Sequence, residues 1–258
     1  MQGIDVSKWQ GNIDWKKVKG DGVEFAVIKA TQGRGETFPS SLLKHFVDSK
    51  FYKNIVDAHN VGLDTSVYHY LTATNKEKSI EEAQYFLEII KPYRSYISSF
   101  AVCDVESDYL NGIKPQELEE IVDAFLGELY SNGYQPLVYT NPSFIKYRFP
   151  PNFANEHDFM LAHYNTPIPY AVPNIKIWQY GKGNVDGVIH YCDLDIGYYE
   201  KNYIPPKYKV GDKYIVQRGD IYTNNIPVPS WLFGKELTVI EVKDNSILLA
   251  EIMSWIKI

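Results

Sequence analysis

Cysteine is scarce: 258 residues hold only Cys103 and Cys192. So few exclude a disulfide-stapled scaffold, and their spacing fits neither a zinc site nor a redox pair. Long hydrophobic runs are missing as well, since no apolar stretch reaches the ~18 residues a membrane helix needs, and membrane insertion is not expected. The opening MQGIDVSKWQ lacks the basic and apolar regions of a secretory signal, which predicts a soluble protein made in the cytoplasm. Basic runs are absent too. With 26 Lys+Arg against 32 Asp+Glu, the net charge of −6 offers no electrostatic footprint for nucleic acid. No low-complexity segment and no repeat of about 20–50 residues is visible. Aromatics, by contrast, are plentiful: 21 Tyr, 12 Phe and 5 Trp.

Short β-branched and aromatic runs predict eight strands, at 3–6, 24–30, 65–71, 100–106, 135–140, 158–164, 176–180 and 192–196. Helical patterns fall between the early ones, at 14–18, 41–59, 79–90 and 115–131. The last begins with Pro115, carries Glu117, Glu119 and Glu120 in its first turns and stops near Gly133, as start and stop signals require. Alternation of strand and helix predicts parallel pairing, and eight parallel strands in about 200 residues suggest a closed barrel, with a doubly wound sheet as the alternative. The later connections, 165–174 and 181–191, have no crossover-helix pattern, and Pro167, Pro169 and Pro173 oppose one in the first. After Ile204-Pro205-Pro206-Lys207 the pattern changes to short strand-like runs at 213–218, 237–243 and 247–251. Two domains follow: an α/β barrel over 1–204 and a small all-β, SH3-like domain over 205–258.

The stretch FAVCDVESDY at 100–109 carries the strongest chemical signal. On a strand Asp104 and Glu106 share a face, their Cα atoms about 6.5 Å apart. They end a barrel strand, where such folds build active sites. Two carboxylates there can divide labour if one is held protonated and the other ionised, as glycoside hydrolysis requires. Asp5 ends the first strand, and Asp193 and Asp195 lie on the last. First and last strands are neighbours in a closed barrel, so these acids are expected at the same mouth, each raising the others' pKa. Tyr68, His69, Tyr70, Tyr139, Asn141, Tyr164, Trp178, Gln179 and Tyr180 accompany them at strand ends. Flat rings with polar tips suit sugars. Cys103 and Cys192 each precede an inward acid, so both thiols should face outward on distant strands, too far apart to pair. No HExxH and no Cys/His pair occurs among the six histidines, so neither a metal nor a cofactor is expected.

Six segments in register, GIDVSKWQGNIDW (3–15), AVIKATQG (26–33), SVYHY (66–70), VCDVES (102–107), LVYTN (137–141) and IWQYG (177–181), followed by CDLD (192–195), resemble glycoside hydrolase family 25, the muramidases of phage endolysins and bacterial autolysins. The resemblance implies an irregular (β/α)5β3 barrel that cleaves the β-1,4 bond between N-acetylmuramic acid and N-acetylglucosamine in bacterial peptidoglycan. It makes Glu106 the general acid and Asp104 the group that orients the substrate's acetamido arm. Asp5 and Asp193 complete the acidic set, with Lys29 and the strand-end residues above as substrate contacts. Two positions depart from the family pattern: Gln32, where Glu is frequent, and Asp195, where Asn is frequent. Residues 208–216, YKVGDKYIV, resemble bacterial SH3-type wall-binding modules more loosely, with Tyr222, Trp231 and Trp255 as candidate wall contacts. A phage-type product of this kind would wait in the host cytoplasm and reach the wall through a holin. The rival readings are an inactive peptidoglycan-binding lectin on the same barrel and a zinc N-acetylmuramoyl amidase.

Overall fold

The computed structural model describes residues 1–33, 46–164, 172–200, 208, 210–224, 226–243 and 246–257. The helix start expected at 41–45, most of the proline-rich connection at 165–174 and the connector at 204–207 lie outside the described residues. The chain forms two compact units, Met1–Tyr203 and Ile204–Ile258.

The first unit runs β1 (Gln2–Val6), α1 (Trp15–Gly20), β2 (Phe25–Gln32), β3 (Phe46–Val47), α2 (Phe51–Asn60), β4 (Asp64–Tyr70), α3 (Lys76–Ile90), β5 (Phe100–Asp104), α4 (Pro115–Ser131), β6 (Gln135–Thr140), α5 (Pro142–Arg148), α6 (Phe153–Glu156), β7 (Phe159–Ala162), β8 (Ile175–Gly183) and β9 (Cys192–Gly197). In space the strands follow the order β1, β9, β8, β7, β6, β5, β4, β2, and pairing of β1 with β2 closes the sheet into an eight-stranded barrel. Strand alternation separates two apolar layers. Phe25, Val27, Phe100, Val102, Leu137, Met160 and Ile177 point inward and fill the barrel. Ile4, Ala26, Ile28, Val67, Cys103 and Val138 point outward, into the layer shared with the helices. Both faces are buried, so these strands read as continuous apolar runs rather than alternating ones. Gly3 answers to close packing: a Cβ there would stand 2.2 Å from the Phe25 ring.

The helices follow from spacing and caps. In α4 the buried residues Leu118, Ile121, Val122, Phe125, Leu126 and Leu129 recur at three and four positions, and Pro115 opens its first turn. Asn75 caps α3 by accepting from the Lys78 backbone N–H. The Ser79 hydroxyl then donates to the Ile121 carbonyl, locking α3 to α4 at 2.5 Å.

Three sequence expectations are corrected. First, β9 is antiparallel to both β1 and β8. Only residues 184–191 join β8 to β9, fewer than the dozen or so a parallel crossover takes, so the chain returns as a hairpin. Second, the helix expected over 41–59 is interrupted: Val47 pairs with Thr31 in β3, and α2 starts only at Phe51. Asp48 forces the break by accepting from the backbone N–H of Lys50 and, across the fold, that of Lys8. Third, the short α5 and α6 were not expected. Asn141 and Pro142 start α5, the Asn141 side chain accepting from the Phe144 N–H.

The second unit holds one antiparallel sheet, β10 (Lys213–Ile215), β11 (Glu236–Lys243), β12 (Ser246–Leu249) and β13 (Ser254–Lys257), paired in that order. Tyr214, Val216, Val228, Leu232, Leu237, Val239, Ile247, Leu249 and Ile256 form its core. Of the candidate wall contacts, Trp231 is 64% exposed with the Lys235 ammonium 4.9 Å from its ring centroid. Trp255 is half-buried on β13, whereas Tyr222 packs against the core and bridges to Ile256.

Candidate active site

One end of the barrel opens into a pocket lined by Asp5, Val27, Tyr68, Val102, Asp104, Glu106, Tyr139, Met160, Gln179 and Asp193. Parity explains the polar members. Asp104, Tyr139 and Gln179 each sit two residues beyond an inward apolar side chain of their strand, Val102, Leu137 and Ile177 respectively, so the apolar filling gives way to polar groups at the mouth. Asp193 faces Asp5 directly across the β1–β9 pairing. Because β9 runs backwards, Asp193 reaches the mouth from the strand's beginning rather than its end. Val27, Val102 and Met160 form an apolar floor that the motif reading did not single out.

Gln179, on β8, joins β1, β6 and the segment that follows β7. Its Nε2 donates to Asp5 Oδ2 at 2.7 Å, while its Oε1 accepts from the Tyr139 hydroxyl at 3.1 Å. The Tyr164 hydroxyl lies 3.0 Å from both Gln179 Oε1 and Asp193 Oδ1, so its single proton serves two acceptors. Lys182 Nζ stands 3.5 Å from Asp193 Oδ1. Lys182 was not anticipated, because a register shift between Gln179 and Gly181 brings it opposite Asp193, and bulges leave little trace in sequence.

Burial sets the electrostatics. Asp5 is pushed up to about 8, first by desolvation and then by Asp193. Asp104 is held well above the usual carboxylate range by desolvation and by Glu106, with Lys29 opposing. Glu106 is also raised, mainly by desolvation, and again Lys29 opposes. The two acids differ in access: Asp104 is 6% exposed, whereas Glu106 stands open to solvent at the mouth. A proton donor that a ligand can reach thus sits above a drier carboxyl group. Desolvation in turn lowers Lys29. Its ammonium bonds Gln32 Oε1 at 3.0 Å and lies 5.0 Å from the Tyr70 ring centroid and 5.7 Å from that of Tyr68.

Not every expected contact reaches the pocket. His69 faces outward, as its neighbours Tyr68 and Tyr70 face inward. It is fully buried between Thr31, whose hydroxyl is 2.7 Å from Nδ1, and Glu82, 2.9 Å from Nε2, which makes it part of the wall behind the site rather than a ligand contact. Trp178 likewise points away, its Nε1 donating to the His163 carbonyl at 2.7 Å. Asn141 caps α5 and, with Ser143, His163 and Tyr164, lines a neighbouring groove. Asp195 lies deeper than expected, opposite Gly3 and Gln179 rather than at the mouth. It is 1% exposed, neither of its carboxylate oxygens has a partner among the described residues, and burial with Asp5 and Asp193 nearby drives its pKa up. Cys103 and Cys192 are buried, unbridged and part of the outer layer. Among the described residues no group of three or more His, Cys, Asp or Glu is arranged to hold a metal ion.

Residues 4–188 match the family described as glycosyl hydrolases family 25. The chain belongs to this family. It is 30% identical over 196 residues to the autolytic lysozyme of Clostridium acetobutylicum, covering 76% of this chain and 55% of that one. To lysozyme M1 of Streptomyces globisporus it is 28% identical over 200 residues, covering 73% and 64%. The chain thus spans roughly three-fifths of the length of these two relatives. Among solved structures, the CTP1L endolysin superposes with a TM-score of 0.62 at 26% identity, over 76% of this chain and 66% of that one. The family 25 match covers most of the barrel unit, including Asp5, Asp104 and Glu106, and stops short of β9 and Asp193.

Proposed function

We propose that the protein is a muramidase that hydrolyses the β-1,4 bond between N-acetylmuramic acid and N-acetylglucosamine in bacterial peptidoglycan. The observation that carries this reading is the pairing of solvent-reachable Glu106 with buried Asp104 over the barrel mouth. Glu106 protonates the departing glycosidic oxygen, and desolvation raises its carboxyl above the ordinary range, in the direction a proton donor needs. Asp104 orients the acetamido group of the sugar, whose carbonyl oxygen attacks the anomeric carbon from the opposite face. Asp5, Asp193 and Gln179 hold the hydroxyls and exclude stray orientations. Family membership and the lysozyme relatives support the assignment, and the element order agrees with an irregular (β/α)5β3 barrel.

Residues 205–258 act in this reading as an SH3-like wall-binding module, with exposed Trp231 as its leading contact. The whole would serve as an endolysin, released from the host cytoplasm to the wall. Digestion of purified peptidoglycan tests the chemistry: release of reducing sugars supports a muramidase, release of amino groups alone an amidase, and binding without release a lectin. Retention through the acetamido group predicts the β-anomer as first product by NMR; the α-anomer would overturn that step. Co-sedimentation of a Glu106→Gln protein with cell walls, with and without Trp231→Ala, tests the second unit.

A further inference from the structure

The pocket is small beside a sugar polymer, at about 110 Å3. A polymer cut there must therefore lie mostly on the rim. Trp9 follows β1, four residues after Asp5, and Tyr191 precedes β9, two residues before Asp193, so both lie in segments that adjoin strand ends bearing pocket acids. Trp9 is 74% exposed and Tyr191 65%, with Ile189, two residues before Tyr191, at 69%.

Single exposed aromatics are ordinary on protein surfaces; these differ in how their backbone is held. The Ser7 N–H donates to Gln10 Oε1 at 2.9 Å, and the Trp9 N–H donates to Ser7 Oγ at 3.3 Å. Lys8 N–H donates to Asp48 Oδ2 at 2.9 Å. Gln10 Nε2 then donates to the Tyr191 carbonyl at 3.1 Å, tying the two loops together. The turn's polar groups are spent on fixing its backbone while the indole stays in solvent with the Lys8 ammonium 5.1 Å from its ring centroid. A rigid, exposed ring loses little entropy when a ligand stacks on it. Round the barrel, β1 is four strands from β6 in either direction, so this rim faces the open groove beside Asn141 and His163 across the mouth. A chain entering by that groove and passing Glu106 would leave over Trp9 and Tyr191.

We propose that Trp9 and Tyr191 form a platform that carries the glycan strand beyond the cleaved bond, each ring stacking on the C–H face of a sugar. The proposal rests on the muramidase reading and adds a length dependence to it. Defined peptidoglycan glycans, a tetrasaccharide and an octasaccharide, are digested by wild type, Trp9→Ala, Tyr191→Ala and the control Tyr52→Ala, whose exposed ring lies on α2. The platform variants are expected to lose about fivefold to tenfold in kcat/KM on the octasaccharide through KM, with the tetrasaccharide rate, the melting temperature and the control unchanged. Wild-type KM on the octasaccharide, or an equal loss on both lengths, overturns the platform. An inactive wild type overturns the muramidase reading and the platform with it, so the two failures are told apart.

Discussion

Gln179 donates its Nε2 to Asp5 Oδ2 across 2.7 Å, although 174 positions separate the two residues. That bond joins β8 to β1 over the intervening β9, and through Tyr139 and Tyr164 the same amide reaches β6 and the end of β7. The orientation of Asp5 therefore depends on a side chain without charge. Gln179→Leu should leave Asp5 and Tyr139 short of a partner in a buried site, while Tyr164 keeps Asp193, at a stability cost of about 1–3 kcal/mol. Activity should fall while far-UV circular dichroism stays native. Wild-type turnover in this variant would show that the network is dispensable.

Glu106→Gln should lower kcat by about 100-fold to 10,000-fold, the range of general acid catalysis, with unchanged folding. The alkaline limb of kcat/KM should follow Glu106. Since the Lys29 cation pulls the Glu106 pKa down, Lys29→Met should move that limb to higher pH. A limb that stays in place, or moves down, refutes the assignment.

Asp5 titrates near 3.8 when exposed and about 8 when folded. The folded state therefore binds this proton more tightly, and its contribution to stability is complete below about pH 4 and lost as pH rises through about 8. Asp104 and Asp195, also raised, act with the same sign. Asp5→Asn should melt like wild type at pH 4 and several degrees above it at pH 9, read by calorimetry. Parallel melting curves across that range would contradict the linkage.

Both thiols are buried, and burial pushes Cys192 up to about 12 and Cys103 well above its ordinary value. Neither should react with a thiol reagent in the native protein, and both should react in guanidinium without prior reduction. Rapid native-state labelling would place a thiol at the surface.

Strands β2, β5 and β7 were legible because each is buried on both faces, so its residues are mostly apolar regardless of what it pairs with. The acids of 104–106 and Asp5 were legible because polar residues at the end of such a run have few structural reasons to be there. Direction and depth were not. Nothing local distinguishes a strand that runs up the barrel from one that runs down, and so Asp195 was expected at the mouth where only Asp193 arrives. His69 was grouped with Tyr68 and Tyr70 by adjacency, while strand parity sends it into the wall.

By itself, then, the sequence determined the eight barrel strands and the longer helices, the acidic motif and its family, because these rest on local periodicity and on residue types that chemistry constrains. The tertiary structure alone decided which acids meet, which stay dry and what bridges them. Those depend on barrel closure, on the reversal of β9 and on the bulge that turns Lys182 toward Asp193, all of them non-local pairings that bring together residues far apart in the chain.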